Sequence, residues 1–171
     1  MSYSDTLTGL ILARIQARID TTEGSHVGIE EASHNISESI TDGATSNKAT
    51  GFFSSSFVAT TGGITVSLAD DADPLGGAGS DAPTSDPEGL KLKAILIENQ
   101  DATNFVSVKK GTNGEASILS GSTDSIKIDP GGCVLWFSPA GNNAMNDGTD
   151  DELLFTADTA SVTVKLTYLY G

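Results

Sequence analysis

A chain of 171 residues that is 37% hydrophobic and 19% charged has room for one domain with a real core, and is too apolar to be a disordered chain. Its formal charge of −14, from 23 acidic and nine basic residues, repels phosphate backbones and anionic lipid, so neither nucleic acid nor membrane is expected as a partner. A single cysteine, Cys133, excludes an intrachain disulfide.

The first segment, DTLTGLILARIQARID at 5–20, places Leu7, Leu10, Ile11, Ile15 and Ile19 at the spacing of one helical face. Asp5 stands where an N-cap belongs, and Arg14 and Arg18 fall on the other side. These features predict an N-terminal amphipathic helix. The segment has neither the basic leader nor the long apolar centre of a signal peptide, so synthesis in a cytoplasm and action as a soluble or assembled species are expected. Residues 21–50 are polar. They read either as a second short helix on Ile29, Ala32, Ile36 and Ile40 or as an extended arm. Seven of the ten charged residues in the first 50 are acidic, which is not the balance of a nucleic-acid-binding tail.

From Gly51 onward the hydrophobic period changes to two. GFFSSSFVAT, ITVSLA, LKLKAILIEN, NFVSV, EASILS, SIKID, CVLWFSP, ELLFTA and SVTVKLTYLY read as strands bounded by Gly, Asp, Asn or Pro. So many short strands without a helical pattern predict a mainly β domain over 51–171, a jelly-roll-like antiparallel β-sandwich preceded by the helix and arm of 1–50. The segment 70–89 interrupts the strands with six acidic residues, three prolines and no basic residue. It is expected to project as a long acidic loop.

Residues that carry chemistry are sparse. His26 and His34 do not have the spacing of a zinc-binding pair, and no nucleophile elbow or phosphate-binding loop is present. Cys133 lies in an apolar strand and is expected to be buried. Asp71-Ala72-Asp73 opens like an EF-hand loop but lacks the closing glutamate. The second acidic loop, with Asp147, Asp150, Asp151 and Glu152, leaves an irregular calcium site as the less favoured reading; no cofactor and no enzymatic activity are expected. In SIKIDPGGCVLWFSP, Pro130 and Gly131 suit the two central positions of a type II turn. Ile126, Ile128, Cys133, Leu135 and Phe137 are assigned to packing. That leaves Trp136 on the opposite face, where it could anchor a neighbouring subunit.

From Leu90 to the end the chain has a cadence: LKLKAILIENQDATNFVSVKKG, then DSIKIDPGGCVLWFSPAG, then DDELLFTADTASVTVKLTYLYG. It resembles a group of small β-sandwich virion proteins of tailed bacteriophages. The matching positions are Lys93 to Asn99, Asp124 to Gly132, Asp151 to Phe155 and Tyr168 to Gly171. The resemblance implies a head decoration, or cement, protein on the capsid surface. Its partners would be the major capsid protein of the same virion and further copies of itself, as a dimer or trimer. Such proteins use terminal arms to clasp capsomers, so Leu7, Leu10, Ile11, Ile15, Ile19 and Trp136 are the candidate partner-binding residues. The apolar stripe among them either packs back on its own domain or is buried in an oligomer or shell. A tail, baseplate or fibre component and a carbohydrate-binding jelly roll with calcium in its acidic loops are the alternatives.

Overall fold

The computed structural model describes residues 8–23, 26–43, 46, 48–70, 74–75, 82–114, 118–119, 123–141, 144–146, 148–149 and 151–171. Among these residues the regular structure is all β. Eight strands make two four-stranded sheets: β4 (Gly51–Ala59), β5 (Ile64–Ser67), β6 (Leu92–Asn99), β7 (Val106–Lys110), β8 (Ser125–Ile128), β9 (Cys133–Phe137), β10 (Glu152–Ala157) and β11 (Val162–Tyr170). One sheet has the order β4-β11-β6-β9 and the other β5-β10-β7-β8, and every pairing in both is antiparallel. Eight of the nine expected strands are therefore present. The exception is EASILS, of which Ile118 and Leu119 are outside any strand and the rest lies outside the described residues.

Alternation along each strand gives the sandwich-like arrangement its interior. In β4, Phe53, Ser55, Phe57 and Ala59 are buried while Phe52, Ser54, Ser56 and Val58 are exposed. In β11 the buried set is Val162, Val164, Leu166, Tyr168 and Tyr170. These residues share one core with Val66, Val106, Val108, Leu153 and Phe155 of the other sheet. The Phe57 and Phe155 rings meet edge to face at 5.0 Å, which joins the two sheets directly. Each such side chain contributes about 1.5–3 kcal/mol by leaving water.

The two core tyrosines keep their hydroxyls bonded. Tyr168 donates to the Leu68 carbonyl at 3.2 Å, and burial pushes its phenol far above the ordinary tyrosine range. The Tyr170 hydroxyl donates to the Ser85 carbonyl at 2.6 Å and accepts from the Ser85 amide at 3.1 Å. Nearby, Phe52 and Thr84 exchange two hydrogen bonds, one through the Thr84 hydroxyl. The 70–89 loop was expected to project. In its described part it instead folds back, burying Pro74, Leu75 and Pro87 and clasping the end of β11.

The predicted N-terminal helix is corrected. Residues Thr8–Glu23 form β1 and His26–Asp42 form β2, paired antiparallel from Thr8 opposite Thr41 to Glu23 opposite His26. A two-residue strand, β3 (Lys48–Ala49), pairs parallel with the end of β2. The reason is visible in β1, whose odd positions are Ile11, Ala13, Ile15, Ala17 and Ile19, whereas its even positions include Arg14, Gln16, Arg18 and Asp20. From Ala13 to Asp20 that is period-two patterning, although Leu10 and Leu12 also stand at even positions, and β2 supplies the partner ladder. At about 3.4 Å per residue, strands of 16 and 17 residues reach roughly 50 Å.

Candidate functional site

The outer surface of the β4-β11-β6-β9 sheet combines open backbone, exposed apolar side chains and the root of the hairpin. Cross-strand registers set its rows. Phe52, Leu169, Ala94 and Phe137 form the first, and Ser54, Thr167, Leu96 and Leu135 the second. The third row is Ser56, Lys165, Glu98 and Cys133. The hairpin root covers part of the first row: Ile11 and Ile40 are buried in a small cluster with Ala49 and Ala94, against Phe137 and Leu169. The second and third rows stay open, with Leu96 and Leu135 each 38% exposed and Cys133 exposed. Phe52, Val58 and, on the hairpin, Ile36 are exposed as well.

The turn that delivers β9 to this surface behaves as its sequence requires. Gly132 donates to the Asp129 carbonyl at 2.9 Å, and Gly131 has φ +68°, which Pro130 before it and the absence of a Cβ allow. Lys127 and Asp129 form a solvent-exposed ion pair at 2.6 Å. The turn docks through the Gly131 amide to the Asp101 carbonyl at 3.0 Å.

Beneath that turn, Asn99 and Asp101 organise the loop between β6 and β7. The buried Asn99 carboxamide donates to the carbonyls of Asn104 at 2.9 Å and Ile128 at 3.0 Å, and accepts from the Asp101 amide at 2.9 Å. Asp101 in turn accepts from the backbone of Asn104 at 2.7 Å and of Thr103 at 2.8 Å. Those amides hold its carboxyl below the ordinary aspartate value, with Asn104 the larger cause. A depressed folded pKa means a contribution that is present above the unfolded aspartate range and lost as pH falls through the folded value. Asp101→Asn should therefore lower the melting temperature at neutral pH. The gap to wild type should close in strong acid; a gap that persists there would exclude the carboxylate as its source.

The sequence-predicted site residues disperse. Leu7 lies outside the described residues. Leu10 falls at an even position of β1 and Ile11, Ile15 and Ile19 at odd positions, so the described part of the stripe does not share one position class of the strand. Ile11 is buried at the root. Trp136 and Val134 face the sandwich interior, partly buried against the main core. The expected inward set of Cys133 and Leu135 is the outward set instead, so Cys133 is exposed rather than buried. His26 and His34 sit in β2, opposite Glu23 and Ile15.

The acidic loops are spent on structure where they are described. Asp151 is buried and accepts a hydrogen bond from the Ser67 hydroxyl. Glu152 accepts from the Asn113 amide at 2.9 Å. Among the described residues no group of three or more His, Cys, Asp or Glu side chains could hold a metal ion; Asp71, Asp73, Asp147 and Asp150 lie outside them. No helix among them is long and apolar enough to cross a membrane. Lys93, the basic residue of β6, is buried at a register shift in the sheet and donates to the Ala140 carbonyl at 3.2 Å, where desolvation lowers its pKa. What the described residues expose is thus a sheet face, a sheet edge and a hairpin. Comparison of the chain with protein-family models, with curated proteins and with solved structures finds no match.

Proposed function

We propose that this chain is a jelly-roll structural protein of a virion, a decoration or cement subunit that stabilises a tailed-bacteriophage head by bridging neighbouring copies of the major capsid protein. Taking β4 as the first of the eight sandwich strands, the sheet orders are first-eighth-third-sixth and second-seventh-fourth-fifth. That order supports the jelly-roll reading, an architecture shared by capsid and lectin domains, so the fold alone does not choose the function.

The observation that carries the functional reading is the hairpin. It pairs two strands of 16 and 17 residues, and its described contact with the sandwich is at the root, through Ile11 and Ile40. A two-stranded ribbon is marginal alone in water and gains stability when a third layer covers its apolar face. A shell subunit offers such a layer, and an arm of roughly 50 Å reaches between neighbours. Binding of this kind works through buried apolar area and strand-edge contacts and needs no reacting group.

Shells assembled from the major capsid protein of the same virion provide the test. The chain should co-sediment with them to a saturating stoichiometry and raise their disruption temperature, and electron cryomicroscopy should place it on the outer surface. Shells that neither bind it nor gain stability from it would sink the reading.

A further inference from the structure

Among the described residues no hydrogen bond reaches the outer edge of β9, a strand that is apolar and uncharged. At one end of the strand the Asn99 amide donates to the Gly132 carbonyl at 2.9 Å, and at the other the Ser138 amide donates to the Lys93 carbonyl at 2.8 Å. With the register Glu98 opposite Cys133 through Ala94 opposite Phe137, these two bonds settle which groups face β6. Val134 and Trp136 turn their amides and carbonyls inward, whereas Cys133, Leu135 and Phe137 turn theirs away from the sheet.

The other three edges of these two sheets are each occupied, charged or polar in part. On β4, Phe52 is taken by Thr84, and the positions that follow on its outward row are Ser54, Ser56 and Val58, more polar than the row of β9. The end of β5 is met by the Pro74 carbonyl, which accepts from the Ser67 amide at 2.9 Å. The β8 edge carries Lys127, whose ammonium pairs with Asp129 and lies over the Phe105 ring. Charge and covering segments are the usual protection of an edge strand, and CVLWF has no charge, proline or bulge within it.

We infer that β9 pairs antiparallel with β9 of a second copy of this chain, joining two four-stranded sheets into one across a two-fold axis at Leu135. The match is self-complementary. Centred there, Leu135 exchanges both of its backbone hydrogen bonds with Leu135 of the other copy, and Cys133 exchanges its pair with Phe137. All outward-facing groups of the strand are used in one register. On the outer face, Leu96 and Leu135 of each copy become one continuous apolar row. On the inner face Val134 stands opposite Trp136 twice, and the half-buried indole gains cover. A register displaced by one residue would face inward-turned groups with outward-turned ones, and one displaced by two would leave outward-facing groups of the strand unused, so the centred pairing is favoured by the backbone as well as by hydrophobicity.

Five residues of edge cover less than the roughly 1,200 Å² of a standard stable interface, so the dimer is reversible and depends on concentration. The copies each carry a charge of −14, whereas the edge itself has none; added salt should therefore strengthen association by screening the repulsion. This pairing does not rest on the decoration reading, and each test can fail without the other.

Sedimentation velocity over a concentration series on the full chain decides it. Wild type should show a monomer–dimer equilibrium. Leu135→Lys places two ammonium groups opposite each other and should weaken it by roughly 100-fold. Leu135→Pro removes an amide that β6 does not use and should act likewise, while Val58→Lys on the far edge should leave it unchanged. Circular dichroism and melting establish that each variant is folded. The Cys133→Ser/Leu135→Cys double variant gives a readout that does not need a disrupted fold. Its two thiols should link under oxidised glutathione, because directly paired strand residues lie within disulfide reach. A wild type that stays monomeric, an assembly unaffected by Leu135→Lys, or the absence of that disulfide would each overturn the inference.

Discussion

Asn99→Asp should cost this protein more stability than any other isosteric substitution, roughly 3–5 kcal/mol at neutral pH. The side chain is fully buried, and its amide nitrogen donates to two carbonyls, those of Asn104 and Ile128. Aspartate keeps the shape but aims a second carboxylate oxygen at those carbonyls. It leaves a buried charge without a donor beside it, apart from the Asp101 amide that already serves the first oxygen. The consequence extends to the surface: Ile128 leads into the turn that positions β9, and Asp101 receives the Gly131 amide.

The pH dependence identifies the cause. A carboxyl forced into this site has a folded pKa above its unfolded value, so the folded state takes up the proton more readily. The penalty is full above the raised pKa and shrinks as pH falls toward the ordinary aspartate range. Chemical denaturation of wild type and variant at matched pH measures this. A penalty independent of pH would mean that shape or packing, and not charge, is responsible. Asn99→Ala offers a second comparison; it leaves two carbonyls and one amide without their partner, and each such group costs about 1–3 kcal/mol.

Removal of residues 1–42 is the second large effect, and it separates folding from function. Among the described residues, none of the main core comes from the hairpin; Ile11 and Ile40 belong to the small outer cluster. The truncated chain should still melt cooperatively with the circular dichroism of a β protein. Its midpoint should be lower, because Ala94, Leu169 and Phe137 lose the cover of the two isoleucines, each worth about 1.5–3 kcal/mol when fully buried. Shell binding, by contrast, should be abolished. Ile40→Asp is the finer version, since it places a charge at a position 2% exposed while keeping the strand in the chain. If the truncated protein binds shells as well as the full chain, the arm is not the clasp and the sandwich face must carry the contact.

These two experiments bear on different levels of the same molecule. Asn99 acts on how the turn and β9 are held, and the hairpin acts on what the finished surface can grip. The Asp101→Asn titration and the Leu135 series fall between them, in the loop that supports the turn and on the edge that the turn presents.

What the sequence determined by itself was the β domain from Gly51 on, because strict alternation leaves a strand such as GFFSSSFVA only one way to bury Phe53 and Phe57. It also determined the Pro130-Gly131 turn, where local backbone restrictions suffice. Tertiary structure decided the rest, for two physical reasons. Ile11, Ile15 and Ile19 are spaced by four, which places them on one side of a helix and equally on one face of a strand; only the ladder supplied by His26–Asp42 resolves that ambiguity. In CVLWF both faces are apolar, so composition cannot say which is inward. Pairing with β6 decides it, setting Trp136 beside buried Ile95 and Leu135 beside exposed Leu96. The openness of an edge is likewise a property of what the rest of the chain leaves uncovered. β9 became a candidate contact only once its neighbour, and the neighbours of the other edges, were in place.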